Sequence, residues 1–464
     1  MSRLVIISNR VPPLRGRTRA AAGGLAAALS AALRTHGGLW FGWNGEVTET
    51  QSETVSIQRE GSYDIATISL STENHEEYYN GFANRTLWPL CHYRTDLVAY
   101  DRSFGVGYHR VNSLFARAVR PLLKPDDIIW VHDYHLIPCG TELRRLGLTQ
   151  RIGFFFHIPW PPYDLVATLP EHRELVRALF AYDLVGFQTK HDVQAFLDYI
   201  VEETDAVHTS AGKLSCFGRS LSVAAYPVGI DAKTIASLAA QGEAKRHVAR
   251  MVESLSGRRL IIGVDRLDYS KGIDRRFSAY GKLLERYPEH RAKVSMLQIA
   301  SPSRMEVAAY QTMRRQLERL TGRVNGQYAD YDWVPLRYVN RAYPHSALAG
   351  LYRSACTALV TPLRDGMNLV AKEYVAAQNP QDPGVLILSR FAGAAYQMPR
   401  ALIINPYDEQ SVVEALARAL SMPLAERQER WEVLMASVSR EDVDAWREHF
   451  LMDLQSSSAT PPEE

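Results

Sequence analysis

Eight short apolar runs recur along the chain without polar alternation: LVIIS (4–8), DIIWVH (127–132), RIGFFFHI (151–158), LVGFQ (184–188), RLIIGV (259–264), VSMLQIA (294–300), ALVTP (358–362) and GVLILS (384–389). Such runs predict parallel strands covered on both faces. Helical patterns lie between them. Leu25, Leu29 and Leu33 fall on one face at i, i+4 and i+8, and 173–181 and 278–287 are comparable stretches. Strand and helix alternating over most of a chain predict doubly wound α/β sheets. The runs number roughly twice what one open sheet usually carries, so two α/β domains are expected, 1–229 and 230–442. The hinge is expected in YPVGIDAKTI (226–235), which follows a β-like run and holds Pro227 and Gly229. A last helical stretch, about 443–455, is expected to fold back onto the first domain, and the Ser/Pro/Glu-rich end at 456–464 is expected to be disordered.

Composition narrows the class. Hydrophobic content of 46% and charged content of 22% suit a soluble globular enzyme. A net charge of +2 gives no global pull towards nucleic acid or membrane, so an anionic partner must be held by local basic residues. Cys91, Cys139, Cys216 and Cys356 lie far apart without CxxC spacing, which reads as reduced thiols in a cytosolic protein. The apolar run before Ser8 is too short for a signal peptide, and the Ala-rich stretch 23–33 is too short to cross a bilayer. A cytoplasmic protein is expected.

In open α/β sheets, ligands bind beyond the C-terminal strand ends. The unusual residues cluster there: His132-Asp133-Tyr134-His135, His157-Ile158-Pro159, DRLDYSKG (265–272), Ser301-Pro302-Ser303-Arg304 and Asp365-Gly366. One charged loop after a strand is ordinary solvated surface; five in register with predicted sheet ends point to one cleft between two domains. In TPLRDGMNLVAKEY (361–374), Gly366 admits close approach of a ligand, and the amides of Met367, Asn368 and Leu369 are expected to open a helix that binds an anion. Asp365 is suited to sugar hydroxyls and Glu373 to a ribose; the plainer alternative is an N-cap with a surface glutamate. A phosphate between an acid-bound ribose and an acid-bound sugar describes a nucleotide-sugar. Arg266 and Lys271 supply the cations to neutralise a leaving diphosphate, unless Asp268 pairs with one of them. Arg10 and Arg304 suggest a second anion site with one ligand shared between domains. Tyr79 and Trp88 in YYNGFANRTLW can offer a hydroxyl and a stacking face, or be core.

Absences count too. There is no GxGxxG after a strand, no GxxxxGK[ST] and no GxSxG, which argues against a dehydrogenase, a P-loop enzyme and an α/β-hydrolase. Two DxD spacings (Asp330/Asp332 and Asp442/Asp444) follow no buried strand, and HDYH has no third ligand beside it. No metal site is expected.

The ordered motifs SNR (8–10), GGL (23–25), GLWFGWNGE (38–46), EEYYNGFANRTLWPLCHYR (76–94), IIWVHDYHL (128–136), RIGFFFHIPWP (151–161), DRLDYSKG, ASPSR (300–304) and TPLRDGMNLVAKEYVAAQ (361–378) resemble glycosyltransferase family 20 over nearly the whole chain. The resemblance implies a GT-B fold, two Rossmann-like domains facing across a deep cleft. It implies transfer of glucose from UDP-glucose to glucose 6-phosphate with retention, giving α,α-trehalose 6-phosphate and UDP, with no metal or other cofactor. By motif, Arg10, Tyr79, Trp88, Asp133 and Arg304 look like the glucose 6-phosphate site. Gly24 and His157 look like donor contacts, and Arg266 and Lys271 look like the diphosphate clamp. Asp365 and the backbone of Gly366, Met367, Asn368 and Leu369 would hold the donor glucose, and Glu373 the ribose. Asp133, His157, Arg266, Lys271 and Asp365 form the implied catalytic group. Two departures, an Arg-rich loop before GGL and Trp160 for the more usual Phe, leave this chemistry unchanged. Asp133 and Asp365 have better uses than as nucleophiles, so front-face attack is expected rather than double displacement. Another donor nucleotide, a cyclitol-coupling relative and a non-catalytic sugar-phosphate sensor stay open as alternatives, although the sensor would be expected to lack part of the clamp. No nucleic acid or membrane partner is expected, and a homo-oligomer is left open.

Overall fold

A computed structural model describes residues 3–11, 29–30, 33–34, 37–210, 212–241, 249–251, 253–304 and 306–457. Gly24, Leu25 and the arginines before them lie outside the described residues, as does the tail from 458. The chain divides into two units, Met1–Pro227 with Trp446–Glu464, and Val228–Ala445.

In the first unit the described strands are β1 (Leu4–Arg10), β2 (Gly38–Thr48), β3 (Ser56–Glu60), β4 (Tyr63–Ser71), β5 (Ile128–His132), β6 (Arg151–Phe155), β7 (Leu184–Phe187), β8 (Val207–Ser210), β9 (Lys213–Cys216) and β10 (Arg219–Ala225). They form one sheet in the order β3-β4-β2-β1-β5-β6-β7-β10-β9-β8. The interior pairs are parallel, and antiparallel strands β3 and β9–β8 close the two edges. The four expected apolar runs are β1, β5, β6 and β7. Among the strands that the pattern missed, β2 carries glycine, β3 is a largely exposed edge, and β4 alternates polar and apolar residues although it lies inside the sheet.

The second unit holds β11 (Arg259–Arg266), β12 (Val294–Ser301), β13 (Leu336–Val339), β14 (Thr357–Val360), β15 (Val385–Ser389) and β16 (Leu402–Ile404). Their order is β13-β12-β11-β14-β15-β16, all parallel. Four of the six are the expected runs, and Val294–Ala300 is wholly buried, as two-sided cover requires. In each unit the strand order reverses beside the first strand, between β1 and β5 and between β11 and β14.

The last helix, Val443–Ser456, extends one residue into the segment expected to be disordered. Phe450 is fully buried, stacks on Trp130 at 4.6 Å and meets Tyr226 at 5.1 Å. Two strand glycines make room for it. A Cβ on Gly153 or Gly186 would stand 2.7 or 2.8 Å from the Phe450 ring. Among the described residues no helix is long and apolar enough to cross a membrane. Phe450→Ala is expected to lower stability by about 3–5 kcal/mol, the range for emptying a core aromatic site. Chemical denaturation followed by circular dichroism measures this.

Candidate active site

The second unit places DRLDYSKG and TPLRDG side by side, because β11 and β14 are neighbours where the strand order reverses. That is the crevice position for ligands in such sheets. Lys271 Nζ lies 2.5 Å from Asp365 Oδ2, and Asn368 Nδ2 donates to the same oxygen at 3.0 Å. The Asp365 main chain is held as well. Its amide donates to the Phe391 carbonyl at 3.1 Å, and its carbonyl accepts from the Gly393 amide at 3.1 Å. Gly272, with φ 61°, permits the close approach of the two turns, since a Cβ there would sit 2.4 Å from the Thr361 carbonyl oxygen.

Beneath this pair lies a buried arginine that sequence reasoning missed. Arg276 is fully enclosed; its Nη1 donates to Asp265 Oδ2 and to Gln298 Oε1, both at 2.7 Å, and its Nε donates to Thr361 Oγ1 at 3.0 Å. It thereby ties the ends of β11, β12 and β14 together. Burial pushes the Asp265 carboxyl pKa up, against the opposing pull of Arg276 and Lys271. Gly263 is the sequence trace of this arrangement, because a Cβ at that strand position would lie 2.4 Å from Arg276 Nη1.

The helix after Asp365 runs Leu369–Ala377, with Asn368 as N-cap in a left-handed conformation (φ 76°) and its side chain accepting from the Ala371 amide at 3.2 Å. The helix therefore opens at Leu369, not at Met367 as the sequence suggested. Leu369 and Val370 occupy its first positions, where amides have no intrahelical acceptor. The carbonyl of Met367, which is buried, instead accepts from the Ala394 amide at 2.8 Å. Glu373 is buried rather than a surface residue, and that burial pushes its carboxyl up to about 7. Beside it, Lys372 donates to the Val228 carbonyl at 2.7 Å, and burial pushes its ammonium down to about 7.

Arg266 ends β11 and is exposed. Arg304 has φ 47° and pairs with the fully buried Asp268 at 2.9 Å. The sequence had offered Asp268 to Arg266 or Lys271. The pairing with Arg304 arises from the tertiary fold, where the Leu267 amide bonds the Ser301 carbonyl at 2.7 Å and brings the two loops together.

In the first unit the predicted residues gather where β1 meets β5. Arg10 ends β1, exposed, with its guanidinium 5.4 Å from the Trp43 ring centroid. Gly45, at φ 92°, leaves room for that guanidinium, which a Cβ would approach to 2.4 Å. Trp43 lies 5.5 Å from Tyr79, and Tyr79 stacks on His135 at 6.0 Å. Tyr134 in turn lies 5.7 Å from Trp88, which is only 4% exposed. Tyr79 sits in a π-helix, His75–Leu87, a rare winding found often at functional sites. Trp43 was not singled out from the sequence, where WNG was the available signal, and His135 stood out only as part of the HDYH cluster.

Asp133 has φ 77° and ψ 162°. Its Oδ1 accepts from the Tyr134 amide at 3.0 Å and the His157 amide at 3.3 Å. Burial pushes the His157 imidazole down to about 3, so it is neutral at physiological pH. Asp133, Arg304 and Asn368 are thus three of the non-glycine residues with positive φ. Such backbone costs roughly 1–3 kcal/mol each and concentrates at functional sites. Among the described residues no group of three or more His, Cys, Asp or Glu is placed to hold a metal.

Removing Arg276 leaves Asp265 buried without its counter-charge. Arg276→Met is expected to cost about 3–5 kcal/mol, and Arg276→Met with Asp265→Leu to cost less. Urea denaturation of both variants decides this.

Glycosyltransferase family 20 matches residues 3–456. A trehalose-6-phosphate synthase of Sinorhizobium fredii is 50% identical over 461 residues, 99% of each chain. A crystal structure of an α,α-trehalose-phosphate synthase (UDP-forming) from Burkholderia xenovorans, in complex with glucose-6-phosphate, has a TM-score of 0.94 at 50% identity and covers 98% of this chain and 100% of its own. An E. coli trehalose-6-phosphate protein bound with UDP-2-fluoro glucose has a TM-score of 0.94 at 46% identity, covering 98% and 99%. With these matches along its length and two α/β units of the GT-B class, the chain belongs to glycosyltransferase family 20.

Proposed function

We propose that this chain is a retaining glucosyltransferase that moves glucose from UDP-glucose to glucose 6-phosphate, yielding α,α-trehalose 6-phosphate and UDP. The observation that carries the reading is full-length similarity to UDP-forming α,α-trehalose-phosphate synthases, in a chain that keeps Lys271 against Asp365 at the reversal of strand order. In this reading Arg266, Lys271 and the amides of Leu369 and Val370 receive the charge that builds on the departing diphosphate. Asp365 accepts from the donor glucose and Glu373 from the ribose. Lys271 orients Asp365 before the donor arrives, which lowers the reorganisation needed on binding. Arg10 and Arg304 are assigned to the acceptor phosphate, with Tyr79, Trp88 and Asp133 positioning its sugar and His157 meeting the donor. The acceptor hydroxyl attacks the anomeric carbon from the face that UDP leaves. Its proton passes to the departing phosphate oxygen, so no protein carboxylate becomes glycosylated. The positive charge on the diphosphate comes from protein groups, and no metal is assigned a role. We place the reaction in the cytoplasm, where nucleotide-sugars and sugar phosphates are made.

The direct test is incubation with UDP-glucose and glucose 6-phosphate, following UDP release and the configuration of the product. No UDP release, or an inverted linkage, overturns the reading. Arg266→Ala is expected to lower turnover at least about a hundredfold with folding intact, the loss typical of one transition-state donor. Arg304→Ala is expected to raise KM chiefly for glucose 6-phosphate; an effect confined to UDP-glucose would move Arg304 out of the acceptor site. Burial pushes the Glu373 carboxyl up to about 7. Ribose hydroxyls donate best to the ionised form, so affinity for UDP-glucose should fall as pH drops through that value. Glu373→Gln should flatten the dependence, read by calorimetry between pH 5.5 and 8.5.

A further inference from the structure

The end of β5 carries two consecutive residues that both grip His157. Asp133 takes the main chain, through the 3.3 Å bond from the His157 amide. His132 takes the ring: its Nδ1 lies 3.0 Å from His157 Nε2. His132 is 1% exposed and packed among aromatic rings, with centroids of Trp130 at 4.5 Å and of Phe155 and Trp446 at 6.4 Å. Among the described residues its only side-chain hydrogen bond is with His157. The register of β5 with β6 sets this up, since His132 stands opposite Phe155 and the Asp133 amide donates to the Phe155 carbonyl at 2.8 Å.

We propose that His132 is a positioning residue that fixes the ring orientation and tautomer of His157. Two neutral imidazoles joined through one nitrogen each share a single proton. With Nε2 of His157 engaged, its Nδ1 takes the opposite role, donating where Nε2 accepts and accepting where Nε2 donates, and points in one direction. The aromatic walls around His132 hold that ring in place, so the hydrogen bond passes their rigidity on to His157. A histidine in such a bond offers its free nitrogen preorganised and uncharged, which suits contact with a sugar hydroxyl rather than proton donation to a leaving group. The inference rests on the assignment of His157 to the donor sugar.

The test uses the full chain labelled with 15N-histidine, in which two-bond 1H–15N spectra report the tautomer and protonation of each ring. In the unsubstituted protein His157 is expected as a single neutral tautomer with Nε2 hydrogen-bonded. A His157 that exchanges between tautomers overturns the proposal, even should the variants fail to fold. His132→Phe keeps the ring but removes the bond. It should scramble the His157 signals and lower kcat about ten- to a hundredfold, the scale of loss from a misplaced group, with KM for glucose 6-phosphate nearly unchanged. His132→Asn, whose amide reaches the place of Nδ1, should restore most of the signal and much of the turnover. Equal losses in the Phe and Asn variants, both folded, would show packing alone and overturn the proposal. His157→Ala with undiminished turnover would instead overturn the assignment of His157 to the donor, while the spectra still decide the hydrogen bond.

Discussion

The second unit depends on one buried cation. Arg276 binds an acid at the end of β11, an amide on β12 and a hydroxyl just past β14. Three parallel strands that arrive from distant parts of the sequence are thus held level at their C-terminal ends, where their following loops must meet. A fully enclosed guanidinium is expensive to bury, and its removal would strand the Asp265 charge. Its return is geometric: Thr361 also bonds to the Gly272 carbonyl, so the turn bearing Lys271 and the turn bearing Asp365 rest on one support. The short Lys271–Asp365 contact above it follows from that support.

The first unit solves the same problem with aromatic rings and hydrogen-bonded loops. Arg10, Trp43, Tyr79, His135, Tyr134 and Trp88 form a continuous path of contacts from the end of β1 through the loop after β5 to the short helix Trp88–Cys91. Side chains with few rotamers keep their place at little entropic cost. The strained Asp133 backbone is retained because its carboxylate caps two amides, one from each neighbouring strand exit. Both units therefore gather their polar groups where strand order reverses, as the crevice rule for open sheets requires.

Much of this was legible beforehand for a simple reason. Parallel strands buried on both faces must be apolar without alternation, so β1, β5, β6, β7, β11, β12, β14 and β15 stand out from the surrounding helices. Polar residues immediately after such strands have few structural reasons to be there, which marked Asp133, His157, Arg266, Lys271, Arg304 and Asp365. The edge strands β3, β8, β13 and β16, and the short β9 beside β8, were missed because one-sided or short strands share their pattern with loops. Glycine in β2 hid a strand whose Trp43 and Gly45 shape the surroundings of Arg10. Glu373 was legible as an acid on a helix, but its burial was not, because helical phase shows a face and not what covers it.

The sequence by itself determined the alternation of strands and helices, the division into two α/β parts and the loops that carry charge, since these follow from local periodicity and from motifs read in order. Partner choice was decided by the tertiary structure alone. Asp268 meets Arg304, Lys271 meets Asp365, Arg276 lies across Gly263 and His132 faces His157 because strand register brings together residues far apart in the chain. Register is set by packing summed over whole sheets, and no short stretch of sequence contains that sum.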